Sequence, residues 1–218
     1  MIRKYIFHDR EHWLEGRKGR IGGSDASAIV GRNPYMSNTD LWEIKTGRRE
    51  QEDISDKPYV VYGTKAEEYL RELFRLDFPQ YDVRYEEGNM FINDRFPWAH
   101  ASLDGWLVEK ETGRRGVLEI KTTNILQSMQ KEKWKDGIPD NYYCQVLWYL
   151  MVTEADFAIL KAQLKYEFKG ELPYMQVRHY LIERADVEED IRILEREGRR
   201  FWEYLQRNIR PATVLPEI

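Results

Sequence analysis

Apolar side chains along this chain repeat with the helical period at both ends and with the strand period in the middle. Between Tyr62 and Phe74 the residues Ala66, Tyr69, Leu70, Leu73 and Phe74 fall at i, i+3, i+4, i+7 and i+8, which predicts an amphipathic helix. Three shorter helices are expected before it. His8–Glu15 is closed by Gly16 or Gly19; Asp25–Val30 is opened by Ser24 and ended by Gly31; Ser37–Thr46 starts at Ser37 or Thr39 and stops at Gly47. Asp82–Glu87 and Met90–Asn93 read as strands around a Gly88-Asn89 hairpin turn. Trp98–Glu109 and Gly116–Thr123 read as two more, joined by a turn around Thr112-Gly113. Pro139–Val152 returns to helix, Phe157–Leu164 and Met175–Glu183 form another pair of strands, and a long helix runs from Asp186 to about Asn208. The polar stretch Arg48–Lys57 is a loop. This order predicts an α/β (α+β) fold, a mixed central sheet flanked by helices. No repeat or low-complexity linker interrupts the chain, so residues 1–218 are expected to form one domain.

Composition narrows the class. With 42% hydrophobic and 33% charged residues, a sizeable core is possible and disorder is disfavoured. The single cysteine, Cys144, excludes a disulfide framework, a four-cysteine zinc site and a four-cysteine iron–sulfur cluster within the chain; it reads as a small buried hydrophobe. No segment approaches the ~20 apolar residues of a membrane span, and the first residues do not form a signal peptide. A cytoplasmic protein with no membrane partner is expected. The formal net charge is −4, from 34 basic and 38 acidic side chains. Any contact with nucleic acid must therefore come from local patches. Basic clusters occur at Arg17-Lys18-Arg20, Arg48-Arg49, Lys131/Lys133/Lys135 and Arg196–Arg210; most such clusters are solvated faces. If the chain does contact DNA, the first is the favoured contact, because it lies beside a candidate anion site, and the third could follow a duplex backbone.

Candidate chemistry centres on Asp104 and on Glu119-Ile120-Lys121. Residues two apart on a strand share a face, so Glu119 and Lys121 project together while Ile120 points back. If this strand pairs with the preceding one through the turn near Gly113, Asp104 can meet Glu119, given a bulge or stagger. Two hard carboxylates suit Mg²⁺, which lowers the pKa of bound water and neutralises phosphate charge. Lys121 could hold the attacking water, and Glu67 would add a carboxylate. Taken alone, an E-x-K strand is more often a solvated ion pair. Here Val117, Leu118 and Ile120 indicate a buried strand, where unpaired charge is costly.

A second constellation suits an anion. Gly22-Gly23-Ser24 opens a helix whose free N–H groups face outward, and Arg17 could add a bidentate contact. On residues alone, Ser24 as a simple cap and Arg17 as a surface cation remain the commoner outcome. Asp25 suits the helix dipole and is placed to orient Arg17 or a metal-bound water. Gln145, on an otherwise apolar helix, is as readily a satisfied core amide as a ligand. Trp134, Trp148 and Tyr149 read as core or interface. The i, i+4 pair His8/His12 has no further ligands nearby and is discounted as a metal site.

Six blocks in this order resemble the lambda-exonuclease-like, or YqaJ-type, viral recombinase nucleases of the PD-(D/E)XK superfamily. They are W-L-E-G-R-K-G-R-I-G-G-S-D-A-S-A-I-V-G (Trp13–Gly31), L-W-E-I-K-T-G (Leu41–Gly47), G-T-K-A-E (Gly63–Glu67), A-S-L-D-G (Ala101–Gly105), L-E-I-K (Leu118–Lys121) and Y-Y-C-Q-V-L-W-Y-L-M-V-T (Tyr142–Thr153). The resemblance implies that Asp104, Glu119 and the Ile120 carbonyl are metal ligands, that Lys121 is the catalytic lysine, and that Glu67 assists at the metal. It implies that Arg17, Ser24, Ser102 and Gln145 hold the terminal 5′-phosphate of DNA. Two departures stand out: Leu103 where the family commonly has proline, and Leu147 where a second glutamine is frequent.

The activity that the resemblance implies is a Mg²⁺-dependent exonuclease, with Mn²⁺ as a substitute. It would degrade linear double-stranded DNA from 5′ to 3′ and leave 3′ overhangs for recombination. A ring-shaped homotrimer, a single-strand annealing protein as partner and a phage- or prophage-type role in a bacterial host are implied with it. Two other functions are compatible with parts of the pattern. An endonuclease of the same superfamily shares the metal site but has no use for a terminal-phosphate seat. A non-catalytic DNA-end-binding protein would be expected to lack a ligand or the lysine, and all three of Asp104, Glu119 and Lys121 are present.

Overall fold

The computed structural model describes residues 1–125, 133–135, 137–167 and 172–215. Among the described residues eight strands form two sheets. The smaller, in the order β1-β3-β4, is antiparallel and contains β1 (Ile2–Ile6), β3 (Asn89–Asn93) and β4 (Phe96–Ala101). The larger, in the order β2-β5-β6-β7-β8, contains β2 (Tyr81–Arg84), β5 (Gly105–Glu109), β6 (Arg115–Ile125), β7 (Phe157–Tyr166) and β8 (Tyr174–Glu183). It is mixed: β6 and β7 run parallel and the other pairs antiparallel. The parallel step requires a crossover, which includes α5 (Asp140–Thr153). The remaining helices are α1 (Arg10–Lys18), α2 (Gly23–Ile29), α3 (Asn38–Lys45), α4 (Pro58–Asp77) and α6 (Glu188–Arg207).

The larger sheet carries core on both faces. Leu118, Ile120, Phe157 and Ile159 pack with Leu70 and Phe74 of α4. Val117, Leu160, Ala162 and Leu164 join the apolar side of α5, where Trp148 is fully buried and Cys144 is a buried free thiol, as expected of it. Among the described residues no helix is long and apolar enough to cross a membrane.

Most elements lie where periodicity placed them, within a few residues. Three expectations fail for physical reasons. Gly88-Asn89 is not a hairpin turn: β2 pairs with β5 and β3 with β1 and β4, so the chain changes sheet there. The N-terminal strand β1, which supplies one of those partners, was not anticipated. Trp98–Glu109 is not one strand but two, β4 and β5, in different sheets and broken at Ser102–Asp104. Helix α2 is not capped by Ser24: its N-cap is Gly22, whose N–H donates to the Asp25 carboxylate at 2.9 Å. Helix α1 begins two residues late, because Asp9 caps it by accepting from the His12 N–H. That same Asp9 occupies His12 Nδ1, which agrees with discounting the His8/His12 pair.

Candidate active site

Strand β6 is the middle strand of the larger sheet, which explains the burial of its polar residues. Leu118 and Ile120 face α4, while Glu119 and Lys121 face α5, so alternation sends the charged pair into one pocket. The β5–β6 register pairs Gly105 with Leu118 through Val108 with Arg115. Continued by one step, it sets Asp104 opposite Glu119, so the anticipated bulge or stagger is not needed. The hairpin is centred between Glu111 and Thr112, with the Glu109 N–H donating to the Arg114 carbonyl at 2.9 Å.

Asp104 Oδ2 accepts the Ile120 N–H at 2.8 Å. Glu119 is 1% exposed; its Oε1 lies 2.6 Å from Lys121 Nζ, and its Oε2 has no hydrogen-bond partner. Burial and the Glu119 charge push the Asp104 carboxyl up to about 8. Burial also raises Glu119, against the pull of Lys121. Burial opposes the charge of Lys121, but Glu119 and Asp104 outweigh it and hold the ammonium above its usual range. Glu67 approaches from α4, raised to about 7 by burial and by the Asp104 charge. Crowded carboxyls that resist ionisation, one with a free buried oxygen, are the environment a divalent cation would relieve. Among the described residues no three His, Cys, Asp or Glu side chains form a metal cage by themselves. A cation held by Asp104 and Glu119 would thus draw on the Ile120 carbonyl, with Glu67 adding a carboxylate close by or through water.

All the anticipated phosphate-binding residues line the same cavity, about 630 Å³ in volume: Arg17, Ser24, Ser102 and Gln145, together with Glu67, Asp104, Glu119, Ile120 and Lys121. The Arg17 guanidinium stacks 4.2 Å from the Trp13 ring centroid. Ser24 is exposed in the first turn of α2, which closes on Tyr149; a side-chain carbon at Gly23 would come within 2.4 Å of that ring. Gln145 has a partner, its Nε2 donating to Tyr149 Oη at 2.8 Å, and still lines the cavity. Ser102 Oγ is buried and unpartnered. Asp25 does not orient Arg17: it accepts from Gly22 and pairs with Lys45 Nζ at 2.8 Å.

Several residues that shape this site were missed. Arg71, 5% exposed on α4, donates from Nη1 to Glu67 Oε1 at 2.9 Å and to the Asp104 carbonyl at 2.7 Å, with its guanidinium 3.5 Å from the Tyr85 ring centroid. The i, i+4 spacing of Glu67 and Arg71 was a legible signal for the pair, though not for its burial. Buried Asn89 clamps the turn that carries Asp104, accepting the Leu103 N–H at 2.8 Å and donating to the Leu103 carbonyl at 2.9 Å. The clamp accounts for Leu103: proline there would have no N–H to give. The other departure, Leu147, is a core residue at 1% exposure.

Of the basic clusters, Arg49 pairs with Asp40 and Arg48 stacks on Trp42. Arg196, Arg199, Arg200 and Arg210 pair with glutamates. Lys133 and Lys135 are exposed, and Lys131 lies outside the described residues.

Fold and site together define a mixed α/β core, with an acidic pair and a lysine brought to one pocket by a central hairpin. The chain belongs to the YqaJ-like viral recombinase domain family, whose model matches residues 12–156. It is 31% identical over 167 residues to the uncharacterized protein YqaJ of Bacillus subtilis strain 168, which covers 73% of this chain and 49% of the relative. The chain therefore spans about half the length of that relative. An alkaline exonuclease from Laribacter hongkongensis, LHK-Exo, has the same fold, with a TM-score of 0.65 and 18% identity over 91% of this chain and 94% of that one. It has also been crystallised in complex with dAMP. A phage-related exonuclease from Haemophilus somnus 129PT aligns with a TM-score of 0.50 and 12% identity, covering 87% of this chain and 96% of that one.

Proposed function

We propose that this chain is a metal-dependent deoxyribonuclease that shortens linear double-stranded DNA from a 5′ end and leaves 3′ overhangs. The observation that carries this reading is the shared cavity: Glu67, Asp104, Glu119 and Lys121 line it together with Arg17, Ser24, Ser102 and Gln145. Mg²⁺, with Mn²⁺ as a substitute, would be held by Asp104, Glu119 and the Ile120 carbonyl, with Glu67 assisting. When bound it supplies neutralising charge at the phosphate and acidifies a water. Arg17, Ser24, Ser102 and Gln145 seat the terminal 5′-phosphate and so fix which linkage reaches the carboxyls. Lys121 orients the attacking water and offsets charge on the phosphate oxygens. A water oxygen bonds to phosphorus as the bond to the 3′-oxygen breaks, and that oxygen leaves with a proton. The shortened strand again ends in a 5′-phosphate, which the same seat can take. The released 5′-mononucleotide has the chemistry of the dAMP found with LHK-Exo, which supports this reading.

A homotrimeric ring around the duplex and a single-strand annealing protein as partner complete the proposal, in a phage- or prophage-type role in the cytoplasm of a bacterial host. A ring would let an acidic chain retain DNA without bulk positive charge. The test uses linear duplex labelled at either end, with Mg²⁺ and then EDTA, beside a closed circle. Nucleotides are expected from the 5′ end only, with Mg²⁺ only. Glu119→Gln and Lys121→Ala should each slow release by about 100-fold or more, with end binding largely retained. Rapid cutting of circles would replace this reading with an endonuclease, and turnover in EDTA would remove the metal from it.

A further inference from the structure

One ionisable side chain in the cavity wall has no part in the chemistry above. His100 is on β4, 2% exposed, and its backbone is held firmly. Its N–H donates to the Ile21 carbonyl at 2.9 Å, its carbonyl accepts from Trp148 Nε1 at 3.1 Å, and the neighbouring Ala99 bridges to Ile21. The ring lies against the start of α2, so close that a side-chain carbon at Gly22 would come within 2.7 Å of Nε2. The other nitrogen, Nδ1, is buried with no hydrogen-bond partner. Ser102 Oγ, two residues along the same strand direction, is likewise buried and unpartnered.

The surroundings suggest what is missing. Burial, and then the charges of Arg17, Lys45 and Arg20, keep the imidazole neutral, with its pKa well below the usual value. A residue present only for packing would not need two ring nitrogens; a phenylalanine or leucine would fill the space without an unsatisfied polar atom, which costs about 1–3 kcal/mol. A neutral imidazole keeps one N–H to donate, and of the cations nearest it Lys45 is already paired with Asp25 while the Arg17 guanidinium, stacked on Trp13, lines the cavity beside it.

We propose that His100 is a further ligand of the terminal 5′-phosphate, donating its Nδ1–H to a phosphate oxygen beside Ser102 Oγ and Arg17. This assignment rests on the reading of the cavity as a phosphate seat, and the experiment separates the two. Rates are measured for the full chain with Mg²⁺ on linear duplex carrying either a 5′-phosphate or a 5′-hydroxyl, and the ratio of the two is the readout. A purely structural role would slow both ends alike and leave the ratio unchanged. His100→Leu is expected to lower the preference for phosphorylated ends by about tenfold or more. Asparagine places its amide near Nδ1 and glutamine places its amide near Nε2. His100→Asn should therefore keep most of the preference and His100→Gln lose it, which provides the test if the leucine variant does not fold. An unchanged ratio in His100→Leu, or a preference kept by glutamine and lost by asparagine, overturns the assignment. Arg17→Ala serves as the control. If it abolishes the preference while His100→Leu keeps it, only His100 is removed from the seat. If neither moves the ratio, or the unsubstituted chain shows no preference, the seat itself is refuted.

Discussion

Asp104 and Glu67 hold protons in the folded chain that free carboxyls would release, with pKa values of about 8 and about 7. The unfolded chain gives up those protons near pH 4, so between that pH and about 8 the native state binds more protons than the unfolded state. Stability of the metal-free protein should therefore fall as pH rises through that window. His100 acts oppositely: kept neutral by burial, it destabilises the fold as pH drops below about 6.5. Thermal melts at pH 6.5 and 8.5 isolate the carboxyls. We expect the metal-free Tm to be lower at the higher pH, and the gain on adding Mn²⁺ to be larger there. Asp104→Asn should shrink both differences, and an equal metal-induced gain at the two pH values would refute the linkage. Arg71 can be tested separately. Arg71→Lys keeps the charge but loses the planar fork that reaches both Glu67 and the Asp104 carbonyl. Mg²⁺ affinity, read by calorimetry without DNA, should drop roughly tenfold or more. The meeting of Asp104, Glu119 and Lys121 was legible because strand alternation places Glu119 with Lys121 and a hairpin can return Asp104. The burial of Arg71 and the clamp of Asn89 were not, because they depend on tertiary neighbours that no local window contains.

Helix α2 shows how an element can be read correctly in outline and wrongly at its edge. Gly22-Gly23-Ser24 marked the helix start, but Gly22 is the cap and Gly23 makes room for the Tyr149 ring. Gly23→Ala should push α2 away from α5, costing about 1–3 kcal/mol of stability in a denaturant titration, and should weaken end preference as Ser24 shifts. Strand boundaries within a run are harder to read than the run itself. Trp98–Glu109 reads as one run because apolar residues recur on both sides of Ser102–Asp104, although its halves belong to different sheets. Helix α4 likewise keeps its period but turns so that Leu70, Arg71 and Phe74 are buried while Tyr69 and Leu73 stay exposed. Apolar spacing shows that a helix has a face; which of those residues are buried depends on the sheet residues that Leu70 and Phe74 meet.

At the scale of the whole molecule, the proposed function raises the question of how a chain of net charge −4 would stay on DNA. Most arginines of α6 are neutralised by glutamates on the same helix, so that face offers little attraction to a duplex. If enclosure replaces attraction, sedimentation should show a trimer, and added salt should slow loading onto ends far more than it shortens runs already begun. A stable monomer on linear DNA would remove the ring from the proposal.

The break between β4 and β5 has a consequence for the proposed reaction. Arg17, Ser24 and His100 are anchored to the small sheet through the Ile21–Ala99 bridge, whereas Glu119 and Lys121 belong to the large one. Ser102–Asp104 spans the joint, gripped by Asn89. In the proposed function, that short span would set the distance between the seat of the terminal phosphate and the carboxyls. Lengthening it by one residue should then change the size of the fragment released before it changes anything else.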